Sequence, residues 1–64
     1  MRVCVVVPAF NEEPSIGKVI ESFPEFVDHI LVVDDGSTDC TAQIAASYAN
    51  KDGRVELLKR LSRG

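Results

Sequence analysis

The sequence predicts an α/β fold: a β-α-β-α-β chain whose strands form a parallel sheet in the order 3-2-1. Three observations predict it. Apolar, β-branched runs at residues 3–7 and 30–33 each stop abruptly in polar turn residues. Each run is followed by apolar residues at helical spacing. A third run, residues 55–58, follows the second helical stretch. Right-handed crossovers then place the strands side by side in sequence order.

The first run has no polar alternation, which suits a strand covered on both faces. Pro8 is expected to end it, because proline cannot donate to a ladder. Asn11 is a candidate helix N-cap, with Glu12 and Glu13 in a first turn that favours negative charge and Pro14 tolerated there. Ile16, Val19, Ile20 and Phe23 follow at i, i+3, i+4 and i+7 and make one apolar face. Pro24 stops that helix, and Phe26 and Val27 are expected to anchor the return to the sheet.

After the second strand, Gly36 supplies a tight turn and Ser37, Thr38 or Asp39 can cap the next helix. The inward stripe of that helix is Thr41, Ile44, Ala45, Tyr48 and Ala49. Residues 50–53 read as a turn into the third strand. The order leaves the most apolar strand at a sheet edge, which stable proteins avoid. The 64 residues are therefore expected to be the amino-terminal part of a larger domain, truncated at the carboxyl end. A chain of this length buries only about 60% of its unfolded surface.

Composition is that of a globular protein, 45% hydrophobic and 27% charged. The apolar runs are too short to span a bilayer, and no leader peptide is expected, since the first run ends at Pro8 without a cleavage pattern. Net charge is −3, and eight of the ten acids lie between Glu12 and Asp39. Both strand-end turns fall in that acidic part, which argues against nucleic acid as a ligand. The basic residues from Lys51 onward read as a solvated strand and loop. Cys4 and Cys40 lack the spacing of a zinc site or a disulfide framework. They are expected to be reduced thiols of a cytoplasmic protein.

The two strand-end turns carry the chemistry, because ligands of open parallel sheets bind beyond the carboxyl ends of the strands. In the first turn, Phe10 is either a satellite core residue or a flat face for a nucleobase. Glu12 is either a partner of the helix dipole or an acceptor for ribose or base. In the second turn, Asp34 and Asp35 leave the strand in opposite directions, so only one can face a given ligand. The outward one could accept the N–H groups of uracil or guanine. The other could hold the turn through backbone N–H groups. Asp39 reads as a cap. Neither the dinucleotide-binding nor the P-loop glycine pattern is present. His29 lies at the other end of the sheet and reads as structural.

A strand ending in Val7-Pro8-Ala9-Phe10-Asn11-Glu12, followed some twenty residues on by Val32-Val33-Asp34-Asp35-Gly36-Ser37 and Asp39, resembles the family-two glycosyltransferases. The stretch from Asn11 to Gly17 is further similar to the branch that makes polyprenyl- or dolichyl-phosphate sugars. The resemblance covers nearly the whole chain. It implies the amino-terminal, nucleotide-binding part of a GT-A (Rossmann-like) domain. It also implies an inverting, metal-dependent transfer from a UDP- or GDP-sugar to an acceptor such as a lipid phosphate or a glycan. By position, Pro8, Phe10 and Glu12 would contact base and ribose, and Val33 and Asp35 the base. Many members have tyrosine where this chain has Phe10, so a hydroxyl contact is lost. The Mg²⁺ or Mn²⁺ ligands and the catalytic base would lie beyond Gly64, leaving no catalytic residue in this segment. Arg63-Gly64 resembles the opening of a loop that runs towards the phosphates. The resemblance further implies work at a membrane surface, on its cytoplasmic face. Two other classes fit the element order: a receiver-like phosphoacceptor domain, and a small nucleotide-binding or interaction module.

Overall fold

The computed structural model describes residues 1–60. The order is β1 (Cys4–Ala9), α1 (Ile16–Glu21), β2 (His29–Asp35), α2 (Thr41–Lys51) and β3 (Val55–Arg60). The strands form one parallel sheet in the order β1-β2-β3, with β2 central. The expected class, order and strand direction are all present.

The register aligns Val5, Ile30 and Val55 across the sheet, then Val7, Val32 and Leu57. Residues two apart share a face, so this parity defines the packed side. Ile16 and Ile20 of α1 and Ala45 of α2 join it in one core, and both helices lie there. Ile30 and Val32 are fully buried at its centre, and truncating either to alanine would cost roughly 2–5 kcal/mol. The opposite parity carries Val6, 61% exposed, and Leu58, 50% exposed.

This one-sided packing corrects the expectation that the first strand is covered on both faces. Its burial alternates, with Cys4, Val6 and Pro8 exposed and Val7 and Ala9 buried. Two successive crossovers in the same direction put both helices on one side. The strand also continues through Pro8, which pairs in register with Val33, to Ala9 opposite Asp34. An edge strand needs donors on one side only, so a proline is tolerated there.

Asn11 is not the cap of α1. The helix starts at Ile16, after a turn in which the carbonyl of Glu12 accepts the N–H groups of Ser15 and Ile16 at 2.9 and 2.7 Å. It ends where the Ser22 hydroxyl donates to the Val19 carbonyl at 2.7 Å, two residues before Pro24. Val27 anchors the return as expected, but Phe26 is 70% exposed and does not. The helix α2 runs through Asn50 and Lys51, so the turn into β3 starts at Asp52 rather than at residue 50. The third strand extends to Arg60, two residues past the expected end.

Candidate functional site

The carboxyl ends of the three strands lie together, and strand parity sorts their side chains. Pro8 and Val33 are register partners on the face opposite the helices. Asp35 follows Val33 on that face, and its register partner is Arg60. The Asp35 carboxylate lies 3.8 Å from Arg60 Nε. Phe10, two residues past Pro8, is 56% exposed and stands outside the core. Among the described residues it therefore packs in no satellite core. Glu12 is also exposed, at the start of the turn into α1. Pro8, Val33 and Asp35 thus occupy one open side of the strand ends, and the turn bearing Phe10 and Glu12 adjoins them.

Asp34 goes the other way. It is 3% exposed, on the helix side of the sheet, between Ala9 and Lys59 in register. Its Oδ1 has no hydrogen-bond partner among the described residues. The expectation that the inward aspartate holds the turn through backbone N–H groups is therefore not met.

Other residues hold the turns. The N–H of Asn11 donates to Ser37 Oγ at 2.9 Å, and Asn11 Oδ1 accepts the N–H of Thr38 at 2.8 Å. The N–H of Glu12 donates to Thr41 Oγ1 at 2.8 Å, and that of Glu13 to Asp39 Oδ2 at 3.2 Å. The N–H of Cys40 returns a bond to Glu13 Oε1 at 3.1 Å. The turn after β1 and the turn after β2 are thus sewn together. Asp39 also accepts the N–H of Thr41 at 3.0 Å and the Thr41 hydroxyl. The hydroxyl bond is the main cause holding the Asp39 carboxyl below its ordinary value. Asp39 therefore does the work of a helix cap from one position earlier than the N-cap, Cys40.

Two backbone features allow this. Gly36 has φ 79°, which lets the chain reverse directly after Asp35. Asn11 has φ 53°, a left-handed conformation that asparagine tolerates better than most residues.

Sequence reasoning missed the sewing residues as a group, and it missed Arg60. Counting residues along three parallel strands from their common ends would have put Arg60 beside Asp35. The pairing of turns depends on side chains some 26 residues apart and carries no local signal.

His29 lies at the far end of β2, with Nε2 3.0 Å from Glu56 Oε1, away from these turns. Among the described residues no three His, Cys, Asp or Glu side chains are placed to hold a metal ion. Nor is any helix there long and apolar enough to cross a membrane. The Arg63-Gly64 loop lies outside the described residues.

The chain is 39% identical over 70 residues to the dodecaprenyl-phosphate galacturonate synthase of Rhizobium johnstonii, covering 98% of this chain and 20% of that protein. It is 38% identical over 66 residues to a dolichyl-phosphate beta-glucosyltransferase of Trichomonas vaginalis, covering 86% of this chain and 20% of the relative. It is 41% identical over 56 residues to a poly(ribitol-phosphate) beta-N-acetylglucosaminyltransferase of Staphylococcus aureus, covering 80% of this chain and 10% of the relative. The chain thus spans a fifth or less of the length of these relatives. No solved structure matches it. The model of the family described as glycosyl transferase family 2 matches residues 4–64, which takes in both strand-end turns and all five strands and helices. This chain belongs to glycosyl transferase family 2.

Proposed function

We propose that the protein carrying this chain transfers a sugar from a nucleotide-diphospho-sugar, and that these residues form the nucleoside half of the donor site. The observation that carries this reading is the divergence of the two aspartates. Asp35 faces the open side of the strand ends with Pro8 and Val33, while Asp34 is turned into the helix side. Asp35 is thereby turned to the side away from the helices, and the exposed Phe10 lies on the adjoining turn.

In this reading Phe10 stacks on the base, worth about 1–3 kcal/mol where aromatic rings hold single bases. Asp35 accepts an N–H from the base edge. Arg60 Nε, at 3.8 Å, flanks the same carboxylate. Val33 and Pro8 supply the apolar floor, and Glu12 accepts a ribose hydroxyl. The diphosphate, a divalent cation (Mg²⁺ or Mn²⁺) and the catalytic base belong to parts of the protein outside the described residues. The acceptor proposed is a polyprenyl or dolichyl phosphate, supported by two of the relatives above.

The test is a titration of the full-length protein with UDP and with GDP, repeated on Asp35→Ala. Binding of one nucleotide that Asp35→Ala weakens at least tenfold, about 1.4 kcal/mol, supports the reading. Binding of neither, or no effect of Asp35→Ala, removes it.

A further inference from the structure

We propose that Asn11 is a positioning residue that fixes the direction of Phe10 and Glu12 relative to Asp35. The inference rests on the nucleoside reading above. Among the described residues Asn11 is the non-glycine residue with positive φ, at 53°. It sits between Phe10 and Glu12, so its backbone angles decide how those two side chains leave the chain.

Phe10 is 56% exposed and lies outside the core, so packing among the described residues does not hold it. The bonds of its neighbour do. Asn11 donates its N–H to Ser37 Oγ at 2.9 Å and accepts the Thr38 N–H at 2.8 Å and the Thr38 hydroxyl at 3.3 Å. Ser37 and Thr38 follow Asp35 and Gly36 directly. A donor and an acceptor on one residue therefore tie the aromatic wall to the strand end that carries the carboxylate.

A left-handed backbone is costly for most side chains. Here it is retained at a residue whose side-chain oxygen and backbone N–H are both bonded across the turns. Three further bonds, Glu12 to Thr41, Glu13 to Asp39 and Cys40 to Glu13, keep the turns joined when Asn11 is changed. The loss on substitution should therefore fall on ligand geometry more than on folding.

The experiment uses the full-length protein with Asn11→Asp, Asn11→Gly and Asn11→Ala, checked for folding by thermal melts. Aspartate keeps an acceptor oxygen and tolerates positive φ. Glycine keeps the backbone but loses the acceptor, and alanine loses both. Affinity for UDP and GDP is measured with amide hydrogen exchange at Glu12, Glu13 and Thr38. The expected order is Asn11→Asp within about twofold of the parent, Asn11→Gly about tenfold weaker and Asn11→Ala weaker still.

Faster exchange at Thr38, whose N–H loses its acceptor, should accompany the losses, while Glu12 and Glu13 keep theirs and serve as the reference. Parent-like affinity in Asn11→Ala, or an Asn11→Asp protein as weak as Asn11→Ala, overturns the inference. If the parent binds neither nucleotide, the nucleoside reading fails by itself. Exchange then decides the coupling: an unchanged rate at Thr38 in Asn11→Ala overturns it, and a faster rate there upholds it.

Discussion

The hydroxyl of Thr41, fully buried at the start of α2, accepts the N–H of Glu12 at 2.8 Å. One oxygen thereby joins the second helix to the turn after the first strand. Thr41→Val keeps the shape and removes the oxygen, leaving that N–H without its partner. Urea denaturation should show a loss of about 1–3 kcal/mol. A loss near zero would mean that water replaces the hydroxyl.

Gly17 faces the ring of Tyr48, and a Cβ there would come within 3.0 Å of the tyrosine oxygen and 3.3 Å of Cε2. The Tyr48 hydroxyl donates to Glu21, so the ring is not free to retreat. Gly17→Ala should therefore destabilise the chain despite alanine's better helix propensity. In a Tyr48→Phe background the sign should reverse, with a gain of up to about 1 kcal/mol. The check is a double-mutant cycle, in which additive effects would contradict the contact.

Stability should depend on pH at both extremes. Asp39 and Asp52 are held below their ordinary 3.8, chiefly by the Thr41 hydroxyl and by the Arg54 guanidinium. A lowered carboxyl stabilises the fold above its unfolded value. That stabilisation is lost as pH falls through the lower folded value. Tyr48 is raised above 10.0, chiefly by its bond to Glu21, so its contribution is full below 10.0 and is lost as pH rises through the folded value. Asp39→Asn should flatten the acid limb below 3.8, and Tyr48→Phe the alkaline limb above 10.0. Melts across pH would check both.

Arg54 works as a clamp. Its Nη1 donates to the carbonyls of Pro24 and Val27 at 3.1 and 3.0 Å. Its Nε and Nη2 reach Asp52, with Nη2 at 3.1 Å. This ties the return from α1 to the turn before β3. Lysine carries the charge without the planar fork. Arg54→Lys should cost about 1–2 kcal/mol by the lost carbonyl bonds, measured by denaturation. An unchanged midpoint would show that the clamp is redundant.

The class, strand order and core stripes were legible because they depend on periodicity. Ile16, Ile20, Ile30 and Ala45 are buried where spacing puts them, whereas Val19, placed on the same helix face, is 37% exposed. The opposite directions of Asp34 and Asp35 were legible for the same reason. Three features were not. Pairing through Pro8 depends on which side of the edge strand its nitrogen faces, which strand order alone does not give. The exposed side of β1 depends on both crossovers turning the same way. Asn11 was read as a cap because asparagine suits both a cap and a left-handed turn, and only Ser37 and Thr38 decide between them.

Alternation along β2 has a consequence for how this segment tolerates change. A substitution there alters one face and leaves the other intact. A single residue inserted or deleted between Ile30 and Asp34 would exchange the faces of every position beyond it. An insertion would put Asp34 where Asp35 stands, a deletion would put it where Val33 stands, and either would turn Asp35 to the helix side. The length of β2 is thus far less negotiable than its composition.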